Sequence, residues 1–337
     1  MNTLHRSMCA VGLLITQATV ISPAYPADLA LPREGWVSWQ VAATENAPAW
    51  CCWGDGRNRD ASPKACRLDD TEGFGVGDRD ATTDTVKVYA RVSGGKIDRL
   101  QALSATCPVE TKTPVHELGS VANDDSARWL IAQANHGDAA PGKHRSIGES
   151  ALAALAIHRG DFARDALAGF SRDPRTETRK WAVFWLAMLR GNEGADITRS
   201  VMFNDKDAEV RKHAAFALAQ TKSPQVAADL IRQGNTDKVG DVRAQAWFWL
   251  AHTGAADAEK AIAQALRKDA DEHVREQAVF ALSRLPDDRA SRALIATAED
   301  QAVSREQRKR AVFWLSQSES ESAQAYLEKV LVRKTAN

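Results

Sequence analysis

Up to about Val115 the apolar residues tend to alternate with polar ones, and from Glu149 onward they recur every three or four residues. The first pattern is that of strands and the second that of helices, so the chain divides into two unlike halves. In the first half Trp36-Val37-Ser38-Trp39-Gln40-Val41 predicts a strand. Val86 to Val92 and Ile97 to Leu103 flank Ser93-Gly94-Gly95-Lys96, a hairpin signal, because glycine tolerates the positive φ of a tight turn. The stretch from Gly54 to Thr85 is polar and glycine-rich and is expected to be a loop. Asp124 or Asp125 would cap a short helix running through Ala134, with a loop from His136 to Gly148.

The helical half repeats itself. Arg179, Arg211, Arg243 and Arg275 are spaced by 32 residues, and Arg308 follows after one extra. Three positions on stands alanine (Ala182, Ala214, Ala246, Ala278, Ala311), and seven on stands leucine (Leu186, Leu218, Leu250, Leu282, Leu315). Five on stands phenylalanine: Phe184, Phe216, Phe248, Phe280 and Phe313. Six on, large and small side chains alternate: Trp185, Ala217, Trp249, Ala281, Trp314. Such a period means stacked helix pairs, the first helix carrying these columns. The second runs, for example, through Pro224 to Arg232, with Ser223-Pro224 as its expected start, or through Ala261 to Arg267. Ala151 to Ala156 reads as a worn first copy, giving about six.

The columns resemble HEAT repeats of the short, phycobilisome-lyase-like type over residues of about 149 to 335. That pattern, D-x-x-V-R-x-x-A-x-x-A-L, stands here as Asp207, Val210, Arg211, Ala214, Ala217, Leu218, and as Asp271, Val274, Arg275, Ala278, Ala281, Leu282. Arg175, Val239 and Ser304 depart from it at the aspartate, and Thr178 and Gln307 at the valine. The resemblance implies a mainly α protein, a right-handed α-solenoid of about six helix pairs, and the strand signals and cysteines ahead of it imply a small disulfide-bonded β-rich domain before it. It also brings up a lyase or chromophore-handling activity, which the name of the repeat type does not by itself imply.

Two columns carry the candidate surfaces. Asp173, Asp205, Asp237 and Asp269 each stand six before an arginine, where they would accept backbone N–H bonds and meet the arginine of their own or an adjacent repeat. Such a row is a structural ladder in preference to a charged binding strip, because polar groups buried between repeats need partners. Trp185, Trp249 and Trp314 would fill the space left by neighbouring alanines. At ~100° per residue the phenylalanines fall on the side of the helix opposite the alanine and leucine columns. They are either packed between helices, the favoured reading, or an apolar ribbon offered to a partner.

The N-terminus adds a compartment. Arg6 precedes the uncharged stretch Met8 to Ile21, and Ser22-Pro23-Ala24 supplies small residues for cleavage, with Ala27 as a second cut site. A leader over 1–24 implies a periplasmic or secreted protein, with domains at 25–115 (β-rich), 116–148 (linker with a short helix) and 149–337 (solenoid). Its removal leaves no span long enough for a membrane helix. It also leaves Cys51, Cys52, Cys66 and Cys107, an even set that predicts two disulfides in an exported chain. Adjacent cysteines on a strand take separate partners, but the spacing leaves the pairing open.

With 44 basic and 44 acidic residues the chain has no net charge, which removes the electrostatic footprint of a nucleic-acid binder. Chemistry is sparse. Gly73, Gly75 and Gly77 lack the following helix of a phosphate site, His116-Glu117 lacks a second histidine, and Asp78, Asp80 and Asp84 lack further calcium ligands. The expectation is a scaffold for a protein or peptide partner, with no cofactor, metal or catalytic residue. Small-ligand or calcium binding through residues 54 to 85 is the remaining alternative.

Overall fold

The computed structural model describes residues 29, 31–52, 65–70, 75–76, 81–135, 146–221, 223–286 and 288–335. The expected leader, Trp53, most of the glycine-rich loop and residues 136–145 lie outside them.

Strands β1 (Gly35–Ala42), β5 (Thr85–Ser93), β6 (Lys96–Ser104) and β8 (Val115–Ser120) form a sheet in the order β6-β5-β1-β8. β2 (Trp50–Cys51) pairs with β4 (Gly75–Val76), and β3 (Cys66–Arg67) with β7 (Val109–Glu110). The hairpin signal gives β5 and β6, with Gly94 and Gly95 both at positive φ in a two-residue turn. The sheet is buried on both faces, which is why its alternation is only partial in the sequence. Trp36, Tyr89 and Leu103 pack with the cysteines on one face, while Val37, Trp39, Val41, Val88 and Leu100 pack against helices on the other. The disulfides are Cys51–Cys107 and Cys52–Cys66, which resolves the pairing.

One strand corrects the sequence reading. Strand signals end at Val115, yet β8 runs to Ser120 as an edge strand parallel to β1. Its residues are mostly exposed, so it carries no apolar alternation to read.

Helix α1 (Asn123–Asn135) covers the sheet. Six pairs follow: α2 (Ile147–Ile157) with α3 (Asp161–Phe170), α4 (Thr176–Leu189) with α5 (Gly191–Asn204), and α6 (Ala208–Ala219) with α7 (Val226–Thr236). The others are α8 (Gly240–His252) with α9 (Ala258–Lys268), α10 (Glu272–Leu282) with α11 (Asp288–Glu299), and α12 (Arg305–Ser316) with α13 (Glu321–Thr335). First members pack side by side along the array and second members form another row, so the chain is an α-solenoid. The alanine and leucine columns lie between the rows and are fully buried. Helix α7 starts two residues later than Pro224, because Ser223 to Gln225 form a turn in which the Val226 N–H donates to the Ser223 carbonyl.

The sheet and the first pair are one body, joined by a polar chain inside a shared core. The Trp39 indole N–H donates to Ser126 Oγ (2.7 Å), which lies 2.8 Å from His158 Nε2. His158 Nδ1 lies 2.6 Å from the Ala154 carbonyl. With the proton on Nδ1, every group in this chain has a partner. Burial pushes the histidine down to about 4, so it is neutral. Thr44 and Arg159 add backbone bonds to Ile157 and Ala42 across the same joint.

Candidate interaction surface

The arginine and aspartate columns form a ladder between repeats. Arg179 donates two hydrogen bonds to Asp205 (2.8 and 3.2 Å), Arg211 two to Asp237 (2.7 and 2.8 Å) and Arg243 two to Asp269 (2.9 and 2.8 Å). Each arginine thus reaches the aspartate of the next repeat, while a further N–H donates to the backbone carbonyl of its own, Asp173, Asp205 or Asp237. Each aspartate also accepts the N–H two residues on, which fixes the turn into the first helix. Burial would raise the Asp237 and Asp269 carboxyls, but Arg211 and Arg243 outweigh it and hold both below the ordinary value.

The ladder ends where the period slips. Arg275 and Arg308 donate to the carbonyls of Asp269 and Val303, and neither has a carboxylate partner among the described residues. Asp300 is held instead by Arg267 (2.8 Å). At the other end Asp173 has no arginine from a preceding repeat, and Arg175 folds back onto it (2.8 and 2.9 Å). That accounts for one departure from the repeat pattern. Two more are explained together, because Ser304 and Gln307 make a reciprocal capping box at the start of α12.

On the outer side of the first-member helices the aromatic columns meet. Phe184 stacks on Phe216 (5.9 Å between centroids, planes 10° apart), and Phe248 on Phe280 (5.7 Å, 18°). The tryptophans join these pairs: Trp249 lies 4.9 Å from Phe216 and Trp314 5.0 Å from Phe280. Both packed-against phenylalanines belong to repeats whose next residue is the buried Ala217 or Ala281. Trp185 lies 4.9 Å from Phe184 and 5.4 Å from Trp50 of β2, so ring contacts run from the disulfide domain to Phe313. The phenylalanines from Phe184 to Phe280 are half-buried, and Phe313 is 54% exposed. They are neither interior core nor isolated rings, since neighbouring helices cover much of each ring.

Trp181, His213 and His252 also join this face, though the columns gave no sign of them. Position two after the arginine varies from Trp181 to His213, Gln245, Gln277 and Arg310, so no periodic signal marks it. Burial among the rings, with Lys180 nearby, pushes His213 down to about 4.

The other sequence candidates are scattered. His116 and Glu117 sit on β8, while Gly73, Gly77, Asp78 and Asp80 lie outside the described residues. Among the described residues no three His, Cys, Asp or Glu side chains group to hold a metal, and no helix is long and apolar enough to cross a membrane.

The sequence family described as HEAT repeats matches residues 163–247 and 235–312. Solved structures similar to this chain include human deoxyhypusine hydroxylase in complex with glycerol, 18% identical, covering 64% of this chain and 81% of that one, with a TM-score of 0.33. An engineered protein is 18% identical over 63% of this chain and 97% of its own, TM-score 0.32. The CpcE–CpcF complex of phycocyanin lyase from Nostoc sp. PCC7120 is 16% identical over 60% and 80%, TM-score 0.29. Similarities of this size carry no activity over to this chain. No curated protein matches it.

Proposed function

The helical half of this chain is a HEAT-repeat array, and from that premise we propose that the protein is an exported scaffold for another protein, with no catalysis of its own. One observation carries the reading: the half-exposed aromatic face that continues across five first-member helices. Apolar surface of this extent on a soluble chain is characteristic of a contact site. The opposite row differs. There the repeats are laced by ion pairs such as Arg199–Asp229 (2.6 Å) and Arg267–Asp300 (2.8 Å), which leave a charged, hydrated surface.

The leader-like N-terminus and the two disulfides, bonds that persist in oxidising compartments, support export in this reading. In this reading the leader is 1–24 and the mature protein is periplasmic or secreted. The β-rich domain closes the first end of the solenoid, since a terminal repeat needs a cover. Photo-crosslinking residues placed in turn at His252 on the aromatic side and Lys260 on α9 test the surface in the full chain. Adducts with exported proteins are expected from position 252 and not from 260. Adducts from neither position would remove the scaffold reading.

A further inference from the structure

Inside the array, between α10 and α12, one rung of the Arg–Asp ladder is open. Arg179, Arg211 and Arg243 are all held alike. Nη1 donates to the carbonyl six residues back, while Nε and Nη2 grip the aspartate 26 residues on. Arg275 keeps the first half of this arrangement, its Nη1 donating to the carbonyls of Asp269 (2.7 Å) and Ala270 (3.1 Å). The second half is missing. The residue 26 on is Gln301, and Nε and Nη2 of Arg275 have no hydrogen-bond partner among the described residues.

The turn into α12 is shifted by one place. Asp300 still acts as the other turn aspartates do, accepting the Ala302 N–H (2.9 Å), but it stands one residue short of the ladder position and is held by Arg267 (2.8 Å). Of the other carboxylates in these two turns, Asp269 is gripped by Arg243, and Asp271 caps α10 through the His273 N–H (3.0 Å). Glu299, at the end of α11, is exposed and makes no ion pair among the described residues. It is the one internal rival for the fork.

The ladder itself identifies the occupant. Three equivalent forks in this chain each hold one carboxylate through two N–H···O bonds, the match of a planar guanidinium to a planar carboxylate. At Arg275 the backbone carbonyls anchor the guanidinium as they do in the filled rungs, so the fork is ordered before anything binds it, which lowers the cost of binding. Arg179 and Arg211 are sealed, at 4% and 3% exposed, whereas Arg275 is half-buried and its open N–H groups reach solvent. A second copy of the array has no ladder aspartate to give, because Asp173 is held by Arg175 and the other three by the forks. Resting on the scaffold reading, we propose that Arg275 receives an aspartate or glutamate side chain of the partner protein, which completes the rung in trans.

A displayed library of random dodecapeptides, selected on the full disulfide-bonded chain, supplies the probe, and enriched peptides are resynthesised and titrated. The expected peptides carry Asp or Glu, and changing that residue to Asn or Gln should weaken binding to the wild type about tenfold or more, as loss of a charge-assisted pair implies. Arg275→Gln should cost a similar factor, and the two changes together little more than either, because both remove the same contact. Arg275→Lys, which keeps the charge without the fork, should restore little of the loss. No enrichment, peptides without acidic residues, or acidic peptides that bind Arg275→Gln as tightly as wild type would overturn the proposal. Binding that emerges only in Glu299→Gln would do the same, since Glu299 would then fill the fork from within. Peptides displaced by inorganic phosphate but indifferent to the Asp or Glu change would assign the fork to phosphate instead. Crosslinked partners at position 252 together with variant-insensitive peptides would leave the scaffold standing and remove only this contact.

Discussion

The joint between the sheet and the first helix pair is built differently from the joints between repeats. At the first, a single chain of unlike groups, Trp39, Ser126 and His158, is threaded through apolar core with every partner supplied once. At the others one Arg–Asp fork and one set of ring contacts recur with the period. At a recurrent joint the same groups are supplied again one period on. The singular joint rests on groups that occur once, with backbone bonds from Thr44 and Arg159 and the Trp50–Trp185 contact beside them.

The largest effect expected is at the ladder. Arg211→Met leaves Asp237 buried without its cation and should cost about 3–5 kcal/mol, read from denaturant midpoints. Arg275→Met, at a rung with no carboxylate, should cost less than half of that. Equal costs would mean that the forks contribute nothing specific.

Next comes the ring contact across a repeat boundary. Trp249→Ala should cost about 3 kcal/mol, the low end for a tryptophan because the ring is half-buried. Ala217→Trp, at the small position beside Phe216, should be harmful by about 1–3 kcal/mol through overpacking. A neutral Trp249→Ala would break the reading of the alternating column as packing.

Acid should separate the buried histidines from the Arg–Asp ladder. His158 is held near 4 when folded and returns to its ordinary 6.5 when unfolded, so below 6.5 the unfolded chain binds the extra proton. Its contribution is complete above pH 6.5 and falls away as pH drops toward 4, by about 3 kcal/mol in all. Asp237 and Asp269 lie below 3.8 when folded, so the ladder keeps its stabilisation until more acidic pH. His213 on the ring face is also held near 4 and loses its contribution over the same window, so urea midpoints from pH 7 to 4 should fall in wild type, less steeply in His158→Gln and least in His158→Gln/His213→Gln. Parallel curves would place the acid sensitivity elsewhere.

The smallest effect belongs to the open end. Phe313→Ser removes the exposed last ring and should shift stability by less than about 1 kcal/mol. A larger loss would show that the ring is covered in solution.

This contrast also explains what was legible in the chain. Groups that recur, such as Arg211 with Asp237 or Phe248 with Phe280, announce themselves by spacing, and their joints are visible as columns. Which aspartate each arginine meets is not legible, because spacing alone does not distinguish a partner in the same repeat from one in the next. His158 occurs once, as a lone histidine after an apolar helix, and nothing in its neighbours marks it as the centre of a joint. The Ser304–Gln307 box was hidden for another reason. Each residue reads as a departure from the repeat until both are seen as a serine followed three positions later by glutamine, a helix-start signal in its own right.

The alternation of Trp185, Ala217, Trp249, Ala281 and Trp314 has a consequence for how such an array can change length. Each boundary matches a large residue with a small one, so removal of a single repeat would set ring against ring or leave two alanines facing a void. Removal of two keeps the match, because Trp249 and Trp314 stand two repeats apart and each packs on the phenylalanine of the preceding repeat, Phe216 or Phe280. On this packing a change of length by two repeats preserves the match and a change by one does not.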